Sequence, residues 1–223
     1  MKARAKTTNN LNQVLFGALW PIFGERVQAS NGAIWPFVLS GADAEFGRFL
    51  IDMLPHGGRG ALPTMDGMLP AAYPNNSTIT PCEVIESQAP IRFLKKELRP
   101  DSGGPGEFRG GLGQVIAFQH IGSDPIILNL TPDRLTTLPQ GLNGGQPGRT
   151  GEVYINGERT YRFPPIELRP GDVVELCIAG GGGFGPVERR AEQRILRDLA
   201  FGYVTPQSVE KDYGTNGVAG TPM

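Results

Sequence analysis

Residues 100–111, PDSGGPGEFRGG, exclude both regular helix and regular strand and so constrain everything around them. Pro100 and Pro105 lack a backbone donor, and Gly103, Gly104, Gly106, Gly110 and Gly111 lose more conformational freedom on ordering than any other residue type. The segment predicts a long structured loop. Upstream, residues 80–99 partly alternate apolar and polar side chains, as in Cys82, Glu83, Val84 and then Ile91, Arg92, Phe93, the period-two pattern of strands with one buried face. The loop is also dense in charge, with Arg99, Asp101, Glu107 and Arg109. Two readings stand open: ion pairs and backbone caps that hold the loop in one shape, or an anion or carboxylate site built on the two arginines.

The same punctuation runs through the chain, which has 32 glycines and 20 prolines in 223 residues with apolar residues spread between them. That pattern predicts many short strands and many turns rather than disorder. An amphipathic helix is expected over 11–20, where Leu11, Val14, Leu15, Ala18 and Leu19 recur at helical spacing before Pro21. Two strands are expected within 34–54 around Gly41-Ala42-Asp43. Residues 114–119 and 126–130 read as a hairpin, and 152–155 with 160–163 as a second one about Asn156-Gly157, a dipeptide that takes the positive φ of a tight turn. Leu168 to Asp172 predicts a turn feeding a strand over 173–178. The glycines at 180–185 read as a sharp turn, with a helix from Pro186 to Leu199 and a short one from Pro206 capped by Thr205. Residues after Gly214 read as a frayed tail. The expected fold class is α+β, mainly β: short antiparallel strands with long Gly/Pro-rich loops, an N-terminal helix and a C-terminal helical segment. One unit is expected over 1–223, with helix and strands at 1–56, a β-rich body at 57–178, and a glycine-rich turn and helical tail at 179–223.

Net charge is −1 with no basic block, which argues against a nucleic-acid partner. No window approaches the ~20 apolar residues of a membrane span. Lys2, Arg4 and Lys6 precede an apolar run, but polar residues 7–13 separate the two, against a secretory leader. Cys82 and Cys177 lie far apart in apolar runs, which fits free thiols in a reducing, cytoplasmic setting. His56 and His120 are the two histidines and have no ligand spacing around them, so no metal site is expected, and His120 reads as structural. The glycines at 180–185 lack the Lys-Ser/Thr of a phosphate loop. Cys82 has no evident activating partner, and Glu83 and Glu86, three apart at a strand start, do not form an obvious acid–base pair.

Four motifs in order, residues 80–113, GLNGGQPG at 141–148, ELRPGDVVELCIAGGGGFGP at 167–186 and GYVTPQSVEKDYG at 202–214, closely resemble the C-terminal part of the hydantoinase B/oxoprolinase family. The resemblance runs from about Gly57 to Gly214 and, more loosely, back to Val14. It implies part of an enzyme that couples ATP hydrolysis to opening of a cyclic amide such as hydantoin or 5-oxoproline; some relatives carboxylate ketones instead. The family's glycine-rich loop followed by Asp-Gly corresponds to Asp66-Gly67, although Pro55 and His56 stand where more glycine is usual and 73–76 replace a histidine-containing stretch. Asp66, Arg99, Asp101 and Arg109 are the candidate substrate-binding residues; no catalytic residue is identified. The resemblance places ATP and a divalent metal outside this chain, in an ATP-binding hydantoinase A-like subunit and in the N-terminal half of the family's full-length subunit. A truncated or split gene product, inactive alone and oligomeric with those partners, is the expectation. The alternative is a non-catalytic assembly module.

Overall fold

The computed structural model describes residues 2–71 and 80–214. The stretch at 73–76 and the tail beyond Gly214 lie outside these. The chain opens with helix α1 (Lys2–Phe23) and runs through β1 (Phe37–Asp43), β2 (Gly47–Met53), α2 (Cys82–Glu86), β3 (Ile91–Arg99), β4 (Gly113–His120), β5 (Ile126–Leu130), β6 (Glu152–Ile155), β7 (Glu158–Arg159), β8 (Ile166–Leu168), β9 (Val173–Cys177), α3 (Glu192–Ala200) and α4 (Pro206–Tyr213). The strands form two antiparallel sheets, one ordered β2-β1-β5-β8 and the other β3-β4-β9-β6-β7. The mainly-β α+β class read from the alternation and turns is the class observed.

The sheets face each other across one apolar core. Phe37, Leu39, Leu128 and Leu130 project from the first sheet and Ile91, Ile116, Phe118, Val174 and Leu176 from the second. Phe37 stacks on Phe118 across the interface at 5.8 Å between ring centroids. Fully burying each such side chain contributes about 1.5–3 kcal/mol, so this core is the main source of stability for the sheets.

Several local expectations need correction. Residues 82–86 form a helical turn, not a strand, because the alternation there is three residues long and Ile85 alone turns inward. The β1–β2 turn falls at 44–46 rather than 41–43: Gly41 stays in the strand, where an added Cβ would meet Ile126 Cγ2 at 3.0 Å. β4 and β5 are not a hairpin. Both edges of β4 are taken by β3 and β9, and the chain crosses to the other sheet at 121–125. That crossing is tight: Ile121 N–H bonds to Pro90 O at 2.9 Å and Ser123 N–H to Asp43 Oδ2 at 3.1 Å. His120 is fully buried beneath it, its ring nitrogens 3.0 Å from Pro90 O and 2.8 Å from Asp124 O. The expected helix from Pro186 is instead the 3-10 turn Val187–Arg189 followed by α3.

Helix α1 is longer than the stretch expected over 11–20 and does not stop at Pro21. It is 22 residues long and contains Pro21. It docks by its polar side: Asn9 and Gln13 are buried, while Leu11, Val14, Leu15, Ile22 and Phe23 are exposed. No described helix is long and apolar enough to cross a membrane.

Beside the sandwich lies a second interior built from segments with almost no regular structure. Residues 178–185 thread its centre; of the sharp turn expected over 180–185 there is only a bend at Gly185, at φ 77°. Gly181 N–H donates to Gly111 O at 2.8 Å and Gly181 O accepts from Gly104 N–H at 2.8 Å; Gly182 N–H donates to Ser30 O at 2.8 Å and Gly182 O accepts from Ala61 N–H at 2.9 Å. Gly183 N–H donates to Gln146 O at 2.9 Å and Gly183 O accepts from Leu142 N–H at 3.0 Å. Side chains have no room between these backbones. A Cβ on Gly180 would lie 2.0 Å from Ser102 O, one on Gly181 2.2 Å from Arg59 O, and one on Gly182 2.1 Å from Gln140 O. Glycine is used here for close approach, with its Cα hydrogen directed at a carbonyl, a weak but recurrent contact.

Candidate functional site

The loop at 100–111 is held from outside. Arg99 Nη2 reaches Glu152 Oε2 at 2.8 Å, in strand β6, and its Nη1 donates to Thr150 O. Asp101 sits in the left-handed region at φ 58° and receives Thr205 N–H at 2.7 Å and the Thr205 hydroxyl at 2.9 Å. Thr205 Oγ1 in turn accepts from Ser208 N–H at 3.2 Å as the cap of α4, the role its sequence position predicts. Asp101 thus fixes the start of a helix about a hundred residues away in the chain.

Arg109 leads into a buried chain of alternating charge. Its Nε donates to Asp198 Oδ2 at 2.9 Å, Arg190 Nη2 donates to the same oxygen at 2.6 Å, and Arg190 grips Asp66 through Nη1 at 2.8 Å and Nη2 at 3.1 Å. Arg109 N–H closes the circle on Asp66 Oδ1 at 2.7 Å. Arg190 also donates to Glu107 O, and Tyr203 and Tyr213 lie against Arg109 and Arg190 with ring centroids 5.3 and 6.0 Å from the guanidinium carbons. Burial alone would raise the Asp66 carboxyl, but the bonds and charge of Arg190 with the Arg109 N–H hold it below the ordinary range. For Arg190, burial acts against the charged form and the Asp66 partnership outweighs it. Burial pushes the Tyr213 phenol up to about 12.

Of the four candidate residues, the structure joins Asp66 and Arg109 by a hydrogen bond, whereas Arg99 and Asp101 are engaged by Glu152 and by Thr205. Asp198 is engaged by two arginines and Asp66 by Arg190, Arg194 at 3.5 Å and a backbone amide, so neither presents a free oxygen-based nucleophile. The arrangement ties the C-terminal helices to the glycine bundle. Arg190 and Asp198 were not singled out in the sequence, where 186–199 reads as an amphipathic helix. A signal was there: Asp198 falls three residues after Ile195, on the buried stripe of α3. Cys177 is buried and its thiol pushed up to about 11 by burial, which fits an inert side chain. Among the described residues no group of three or more His, Cys, Asp or Glu is placed to hold a metal.

An open cleft lies elsewhere, between α1 and residues 133–142. A cleft of about 390 Å³ is lined by Asn10, Gln13, Gln28, Asp133, Arg134 and Gln140, with Val14 and Leu142 among its apolar walls. A chain of neutral amides runs along it. Gln13 Oε1 accepts from Arg134 Nη2 and from Asn31 N–H at 3.1 Å, Asn31 Oδ1 accepts from Gln28 Nε2 at 3.2 Å, and Gln28 Oε1 accepts from Arg59 Nε at 2.9 Å.

A profile of the hydantoinase B/oxoprolinase family matches residues 1–187. The chain belongs to that family. An uncharacterised protein of Methanocaldococcus jannaschii is 33% identical over 214 residues, covering 93% of this chain and 37% of the relative. Among solved structures, an ATP-dependent caprolactamase from Pseudomonas jessenii aligns with a TM-score of 0.75 at 26% identity over 88% of this chain and 37% of its own. A nucleotide-free acetone carboxylase aligns with a TM-score of 0.74 at 19% identity, over 93% of this chain and 34% of its own, and shows the shared fold. The chain spans little more than a third of the length of these relatives.

Proposed function

We propose that this hydantoinase B/oxoprolinase chain forms the glycine-bundle part of a subunit in an ATP-dependent enzyme that opens cyclic amides. The observation that carries the reading is the alignment of 88% of the chain with the ATP-dependent caprolactamase at 26% identity. On this reading the chain acts with the remaining part of the family's B-type subunit and with an ATP-binding A-type partner, and ATP and a divalent metal are bound by those parts. The latched carboxylates of Asp66 and Asp198 support a structural role for this part. The apolar face of α1, with Leu11, Val14, Leu15, Ile22 and Phe23 exposed, supports packing against the rest of the assembly.

The test is reconstitution. The chain is assayed alone, and then co-expressed with the remaining part of a B-type subunit and an A-type partner, with caprolactam, hydantoin and 5-oxoproline as substrates. ATP-dependent ring opening in the assembled complex and none by the chain alone is expected. Ring opening by the chain alone, or an assembled complex that hydrolyses ATP and opens none of the three rings, contradicts the proposal.

A further inference from the structure

The cleft beside α1 holds an arginine that the protein does not fully use. Arg134 donates through Nη2 to Gln13 Oε1, but its Nε is buried with no hydrogen-bond partner, and among the described residues no carboxylate lies within salt-bridge distance of it. Leaving a buried donor on a charged group unpaired is costly. The backbone is strained as well. Arg134 has φ 56°, held by its N–H on Asp133 Oδ1 at 2.8 Å and by Gly151 N–H on its carbonyl at 2.8 Å. A side-chain-bearing residue kept in that region by bonds on both sides is a recurrent mark of a functional position.

The charge balance points to the kind of ligand. Asp133 is the carboxylate lining the cleft, and it accepts a hydrogen bond from Asn10 Nδ2 at 2.9 Å and is paired with Lys6 Nζ at 3.8 Å. Gln13, Gln28, Asn10 and Gln140 add dipoles and no charge. The guanidinium therefore lines the cleft with no acid in salt-bridge distance of it, and Asp133 acts on it only at longer range. Its planar fork matches a carboxylate, while Val14 and Leu142 offer surface to a short hydrocarbon. The volume lies near the lower end of small-molecule sites, which run roughly 300–1,000 Å³.

We propose that Arg134, oriented by Gln13, is a subsite for the carboxylate of a small organic acid whose hydrocarbon part lies against Val14 and Leu142. Burial pulls the Arg134 guanidinium below its ordinary pKa, opposed by the Asp133 charge, consistent with a cation short of a partner. The inference rests on the cleft geometry alone and stands or falls separately from the ring-opening reading.

The test uses the full chain and three probes: butyrate, its neutral isostere butyramide, and inorganic phosphate, followed through the Arg134 Nε–H resonance in proton–nitrogen correlation spectra. Butyrate should shift that resonance saturably and bind at least about tenfold more tightly than butyramide, a difference of one well-made charged contact. Arg134→Gln should abolish the preference for the acid, and Gln13→Leu, which frees the guanidinium from its orienting amide, should weaken it. The comparison of the two isosteres on the unaltered chain needs no variant to fold. Equal binding of butyrate and butyramide, no saturable shift with butyrate, or tighter binding of phosphate than of butyrate overturns the proposal.

Discussion

The β-sandwich and the glycine bundle are both interiors, but they exclude water by opposite means. In the sandwich, side chains such as Phe37, Phe118 and Leu128 fill the space between two sheets, and stability follows buried apolar area. In the bundle few side chains lie between the backbones, and those that do, such as Ser102 and Asn31, accept from backbone amides. Segments at 29–33, 57–61, 102–113, 139–148 and 178–185 approach until carbonyl oxygens occupy the places where Cβ atoms would be. The sandwich should tolerate the loss of a methyl group; the bundle should not tolerate the gain of one.

The largest effect is expected there. Gly181→Ala would place a methyl 2.2 Å from Arg59 O, against the backbone of residues 59–60 rather than a flexible side chain that could yield. A loss of about 4 kcal/mol or more, or failure to fold, is expected in urea denaturation. By contrast, Ile116→Val in the fully buried sandwich core should cost only about 0.5–1.5 kcal/mol. A Gly181 variant as stable as the Ile116 variant would remove the distinction.

The latch ranks next. Arg190 has no exposed side-chain surface and Asp198 only 6%. Removing one partner of such a pair leaves a buried uncompensated charge, so Asp198→Ala should cost about 3–5 kcal/mol in the same assay. Its loss should also free α3 and α4 while leaving the sandwich folded, visible as protease cleavage within 187–213. An unchanged melting temperature would show that the charges are spectators.

A third effect is acid sensitivity. Because the folded-state carboxyl of Asp66 lies below its ordinary value of 3.8, its contribution is fully present above the ordinary aspartate range and is lost as pH falls through the depressed folded value. Stability should therefore drop on acidification below about pH 4, and Asp66→Asn should flatten that part of the profile. The same slope in both proteins would refute the assignment.

The smallest effect separates two uses of glycine. Gly157 has φ 81° and open space where a Cβ would go, so Gly157→Ala should carry only the left-handed backbone penalty of about 1–2 kcal/mol. If Gly157→Ala matched Gly181→Ala, close approach would not be what the bundle glycines provide.

How far the sequence could be read follows the range of the interactions. The Asn156-Gly157 turn and the Thr205 cap were legible because their signals lie within three residues of their effects. The latch was not, because Arg109 meets Asp66 across 43 positions and Arg190 meets it across 124. The density of glycine announced that side chains are unwelcome at 180–185. It could not announce which carbonyls stand in their place, and a sharp turn was the local reading. The β4–β5 hairpin failed for a related reason: two adjacent strand-like runs carry no record of which edges a third strand already occupies. The apolar stripe of α1 was legible and does face outward; what its pattern did not mark is that Asn9 and Gln13 make the contact with the rest of the fold. Of the site, the family motifs placed Asp66 in its glycine loop, whereas Arg190 and Asp198 emerged only with the fold.

The most direct test of the two-interior account is native-state hydrogen exchange compared between strand β4 and the bundle. The amides of Gly104, Gly181, Gly182 and Gly183 donate to backbone carbonyls at 2.8 to 2.9 Å in a region with no assigned helix or strand. If the bundle is a second core, these amides open only with the whole molecule and exchange about as slowly as those of Ile116 and Phe118. If they exchange like ordinary loop amides, orders of magnitude faster than β4, the glycine segments are connections rather than an interior, and the account fails.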